Sequence, residues 1–129
     1  MAASSATLHE SPEVLSKETV DRHRAIVSIM EELEAIDWYD QRVQAATDPE
    51  LRAILAHNRD EEKEHAVMTL EWLRRHDPGF DEQLRNYLFT EKPILEREEE
   101  LDSAESGGAA AQGGDEPSLG IGSLRGARP

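Results

Sequence analysis

No cysteine occurs among the 129 residues, which excludes disulfides and thiolate-bound metals and suits a reducing compartment. No apolar run approaches the roughly 20 residues that cross a bilayer. The first residues, "MAASSATLHESPE", lack both the basic opening and the apolar centre of a secretory signal. Basic residues are scarce, 14 against 28 acidic for a net charge of −14. That balance disfavours nucleic acid and anionic membrane as partners and favours cations, although a merely solvated acidic surface has the same composition. Glycine is almost missing from residues 16–96, where only Gly79 occurs. A soluble, cytoplasmic, single-domain chain with a tail is the expectation.

What remains is helical. The expected division is a flexible N-terminal leader over 1–15, a helical domain over 16–96, a flexible linker over 97–117 and a separate short module over 118–129. Ser16 predicts an N-cap with Glu18 in the first turn, opening a helix that runs to about Ala46. "TDPE" then stops and restarts the chain, with Asp48 as cap and Pro49 at the first helical position. The second helix is expected to run to about His76, where "HDPGF" ends it, and a short third helix to span Asp81 to Thr90. The composition then turns to "DSAESGGAAAQGGDEP", which reads as a linker. No strand alternation and no internal repeat is visible. Two long helices cannot enclose a core of their own, so self-association is expected.

The stretch "HNRDEEKEH" at residues 57–65 is the unusual feature, nine polar residues where an amphipathic helix should show an apolar one every turn. Nothing there breaks a helix. On the first helix Ala25, Ile29, Glu32, Ile36, Tyr39 and Val43 recur at spacings of four and three, a core stripe with a carboxylate in its middle. The matching stripe on the second is Leu51, Leu55, Asn58, Glu62, His65, Thr69 and Trp72, apolar at its ends and polar at its centre. Bare burial of a carboxylate costs several kcal/mol. Glu32 therefore needs a partner, either Arg59 or His65 in an ordinary ion pair, or a metal. Glu32 lies 15 residues before Thr47 and Glu62 lies 15 after it. In an antiparallel hairpin both stand about 22 Å from the turn, with His65 one turn from Glu62 on the same face.

A di-iron carboxylate site in a four-helix bundle takes one Glu from each of two helices and Glu-x-x-His from each of the other two. This chain carries one such set, and a two-fold dimer of hairpins would supply the second. Carboxylate oxygens with one imidazole suit iron or manganese, and zinc by affinity order. Glu32 and Glu62 would be ligands or bridges and His65 a terminal ligand. Tyr39 is either a hydroxyl donor just outside the ligands or ordinary core. Oxidation of Fe(II) by O2 is the reaction such a pair of metals favours. A helical protein that binds divalent ions without redox turnover, or an acidic adaptor held by salt bridges, remain the alternatives.

"RHRAIVSIMEELEAIDWYDQR", "ILAHNRDEEKEHAVMTLEWLRR" and "YLFTEKPI" resemble the encapsulated ferritins, half-length ferritin-like proteins carried inside encapsulin nanocompartments. The resemblance covers residues from about 10 to 95 and resumes at the end. It implies an all-α fold: a long antiparallel helical hairpin plus a short third helix, dimerising into a ferritin-like four-helix bundle, with a disordered C-terminal tail. It also implies a ring-shaped decamer and a ferroxidase centre with iron on Glu32, Glu62 and His65 and Tyr39 close by. Other divalent ions (Ca, Zn, Mn) would bind too. Glu31, Glu34 and Trp38, otherwise a solvated face, become a secondary site that draws cations in. His57, Glu61 and Glu64 become an outer metal site. In "SLGIGSLRGARP", Leu119, Ile121 and Leu124 look like the apolar contacts of an encapsulin-targeting peptide, which would place the protein inside the shell. An open ring has no closed cavity for mineral, so the shell would store the iron that this protein oxidises.

Overall fold

The computed structural model describes residues 6–112, with side chains through residue 106. Among these residues every regular element is helical: α1 (Lys17–Ala45), α2 (Pro49–Arg75), α3 (Pro78–Tyr87) and α4 (Ile94–Gln112). A single 3-10 turn at Pro12–Val14 precedes them within the expected leader. The chain divides into two compact units between Asp77 and Pro78.

The first unit is the hairpin. Ser16 caps α1, its hydroxyl accepting from the Thr19 N–H at 3.1 Å. Asp48 caps α2, its carboxylate accepting from the Leu51 N–H at 2.8 Å, and Pro49 stands at the first position as its fixed φ allows. Three residues join the helices, too few for anything but an antiparallel return. Cross-contacts confirm the direction, since Val43 meets Arg52, Asp40 meets Arg59 and Glu32 meets His65. At the far end of α2, Glu71 accepts from Arg74 and Arg75 at 2.7 and 2.6 Å. The paired guanidinium hydrogen bonds hold the Glu71 carboxyl down to about 2.

The helix interface is thin. Only Ala25, Ala66 and Leu73 are buried among the described residues. Ile26, Met30 and Leu33 on α1, and Leu51, Ile54, Val67, Met68 and Trp72 on α2, are large apolar residues left exposed. A lone hairpin therefore leaves much of the apolar surface that could stabilise it in water.

The second unit corrects two expectations. The third helix begins at Pro78, not Asp81, because a proline that cannot continue α2 is well suited to open the next helix. It ends at Tyr87 instead of Thr90, where the Leu88 N–H closes on the Leu84 carbonyl at 2.9 Å. Phe89 follows with φ 64, a left-handed geometry that no helix continues. The stretch expected as a flexible linker over 97–117 is helical as far as Gln112. Glu, Leu and Arg dominate its first half, all good helix formers. Local pairs also hold it, with Lys92 on Glu100 at 2.7 Å and Arg97 donating to the Asn86 carbonyl at 2.8 Å. Residues 118–129, with Leu119, Ile121 and Leu124, lie outside the described residues.

Asp48→Ala should destabilise the folded protein by about 1 kcal/mol, as loss of an N-cap does, while Asp48→Asn stays within a few tenths. Urea denaturation at fixed protein concentration checks both.

Candidate metal centre

At mid-height of the hairpin the two stripes meet as their spacing requires. One donor atom each from Glu32, Glu62 and His65 lies within 4.8 Å of the others. His65 Nδ1 is 3.6 Å from Glu32 Oε2 and 3.4 Å from Glu62 Oε1. These are loose contacts, longer than a good charge-assisted hydrogen bond. Burial is graded across the trio. The Glu32 side chain is 19% exposed, Glu62 28% and His65 47%, so the cluster is closed toward the hairpin and open on the side where His65 stands.

Electrostatics at the centre are unfavourable without a cation. Burial raises the Glu32 carboxyl above its ordinary range and the neighbouring charge of Glu62 raises it further, while His65 opposes both. The alternative of a simple ion pair fails for Arg59, whose guanidinium goes to Asp40 and Asp60 at 3.0 Å each. A divalent cation answers the repulsion directly. Two carboxylates and an imidazole fit iron, manganese or zinc, and the absence of a thiolate removes the soft-metal option. Three protein donors fall short of a full octahedral set, which leaves positions to be filled from the open side.

Other residues singled out in the sequence do not belong to this group of donors. Tyr39 is half-buried on the α1 stripe, and its ring carries the Arg42 guanidinium 5.5 Å from the centroid. Glu31 and Glu34 are exposed, and Trp38, about half exposed, borders a shallow groove with Gln41 and Arg42. His57, Glu61 and Glu64 are all exposed on the outer side of α2. Neither set forms a group of three potential ligands among the described residues. Sequence reasoning missed the Asp40–Arg59 contact between the helices. Its signal was an acid and a base on opposite sides of the turn.

Comparison with known proteins gives the family. The EncFtn-like family matches residues 7–91. An "Encapsulated ferritin-like protein" of Rhodospirillum rubrum is 67% identical over 130 residues, covering 98% of this chain and 93% of the relative. A "Ferritin-like protein" of Thermotoga maritima is 55% identical over 107 residues, covering 83% of this chain and 90% of the relative. Among solved structures, that of protein ne0167 from Nitrosomonas europaea superposes with a TM-score of 0.65 at 66% identity, over 67% of this chain and 96% of that one.

A raised Glu32 pKa means that the fold binds a proton more tightly than the unfolded chain does. Metal-free stability then falls as pH climbs from the ordinary value of 4.5 through the folded pKa, and the penalty is complete above it. Glu32→Gln should therefore be more stable than the parent at neutral pH in the presence of chelator. The advantage should vanish below pH 4.5, as urea denaturation at the two pH values would show.

Proposed function

The chain belongs to the EncFtn-like family, and from that premise we propose that it is a ferroxidase, oxidising Fe(II) to Fe(III) with O2 as electron acceptor. The observation that carries the reading is the convergence of Glu32, Glu62 and His65 at an otherwise unexplained polar level of the hairpin. Iron is the substrate, each Fe(II) giving up one electron. Glu32 and Glu62 would hold the ions as ligands or bridges, and His65 would ligate from the open side. Tyr39 serves as a nearby donor. Glu31, Glu34 and Trp38 draw cations in, and His57, Glu61 and Glu64 form a weaker outer site.

The centre is completed by a second copy. Leu51, Ile54, Met68 and Trp72 are exposed at helical spacing with His65, so the open side of the metal cluster and the uncovered apolar stripe are one face of α2. A two-fold axis through that face pairs the two half-sites and covers the stripe in a four-helix bundle. The dimers assemble into a ring-shaped decamer. Residues 118–129 bind the inner wall of an encapsulin shell through Leu119, Ile121 and Leu124; what supports a shell as partner is that the Rhodospirillum relative is an encapsulated protein. Iron oxidised here is then stored inside that nanocompartment. No described helix is long and apolar enough to cross a membrane.

On mixing Fe(II) with aerobic protein, near-ultraviolet absorbance should rise faster than in buffer, and Glu62→Ala should bring it back to the buffer rate. Metal binding without oxygen consumption would instead assign a non-redox binder. Metal should also drive assembly, because it relieves carboxylate repulsion at the shared face. Light-scattering mass should be greater for iron-loaded than for chelator-treated protein, and equal masses would contradict this.

A further inference from the structure

The metal reading requires α2 to stand at one height against α1, and on the turn side of the donors no apolar residue is fully buried to hold it there. Ala25, Ala66 and Leu73 all lie beyond the donors, toward the open end of the hairpin. On the turn side Ile36, Val43 and Leu55 are only half-buried, and two α2 side chains reach across beside them. Arg52 Nε donates to the Val43 carbonyl at 3.2 Å, and Arg59 Nη1 donates to Asp40 Oδ1 at 3.0 Å. The planar Arg59 guanidinium also donates from Nε to Asp60 Oδ1 at 3.0 Å. It is thus held at both edges, and its side chain is only 23% exposed. Arg59 precedes Glu62 by three residues, so it shares the face that presents that carboxylate.

We propose that Arg59, anchored on Asp40, is a positioning residue that sets the register of α2 and so brings Glu62 and His65 opposite Glu32. The tolerance makes register decisive. A ligand distance is useful within about 0.2 Å, whereas sliding a helix by one residue moves it about 1.5 Å. The value of the contact lies in geometry, since a half-exposed ion pair contributes little to stability by itself.

Asp40 and Asp60 make a matched pair for the test. Both accept from Arg59 at 3.0 Å and both are 60% exposed, but only Asp40 spans the two helices. Asp60 is two residues from Glu62, whereas Asp40 is eight from Glu32. A long-range charge effect should therefore make Asp60→Asn at least as damaging, and a register clamp should make Asp40→Asn the damaging one. Titration of the full-length chain with Co(II), followed by its visible absorption band, reports both affinity and ligand geometry. Asp40→Asn should weaken Co(II) binding roughly tenfold, the low end for losing a residue that orients ligands, and should shift the band. Asp60→Asn should leave both as in the parent. Arg59→Lys, which keeps a cation within reach of Asp40, should stay closer to the parent than Asp40→Asn does. Equal effects of the two Asn variants, or a larger one at Asp60, would overturn the clamp. A parent that shows no Co(II) band would instead overturn the metal reading on which the clamp rests.

Discussion

Two carboxylates, Glu32 and Glu62, are held against one imidazole at mid-height of a two-helix hairpin, where a divalent cation would relieve their mutual repulsion. The rest of the hairpin is arranged on either side of that level. Apolar burial is displaced to the open end, cross-helix arginines stand on the turn side, and the polar level lies between. A helix pair stabilised only by packing would have placed leucine or alanine at these positions. Instead, the chain forgoes apolar contacts at the level where interhelical packing would otherwise be easiest. Acidic character elsewhere has no such signature, because half-exposed carboxylates such as Glu71 and Glu100 pair with neighbouring cations.

The second consequence concerns completeness. A hairpin whose large apolar residues stay exposed is unfinished as a fold, and three donors with an open side are unfinished as a metal site. Both deficits fall on the α2 face that carries His65 with Leu51, Ile54, Met68 and Trp72. One event, docking of a second copy, would remove both. This economy explains why a chain with a single Glu-x-x-His can be considered for chemistry that needs two.

The helix ends α1 and α2 were legible in the sequence because their signals are local: Ser16, Asp48 and Pro49 act through hydrogen bonds and dihedrals within one turn. The trio was legible because equal distance from a tight turn fixes height in an antiparallel pair, and the structure places its donor atoms together. Pro78 was misread because the same residue ends one helix and opens the next, and only the geometry after Asp77 distinguishes the two. Helix α4 was hidden by the Gly/Ala/Ser composition that follows it, although "ILEREEEL" has the propensity and the ion pairs to start it. The exposed Ile26, Met30 and Leu33 were passed over because a period of three and four fits two adjacent stripes on α1 equally well. Only burial shows that Ala25 faces α2 while its neighbour Ile26 does not.

The most direct test of the central claim is diffraction from crystals of the full-length chain grown with Mn(II) or Fe(II), recorded at the metal's absorption edge. The account predicts anomalous density among Glu32, Glu62 and His65 of one chain and the same residues of a two-fold mate. Density elsewhere on the surface with none at this level, or a trio closed on itself by direct hydrogen bonds in metal-grown crystals, would contradict it.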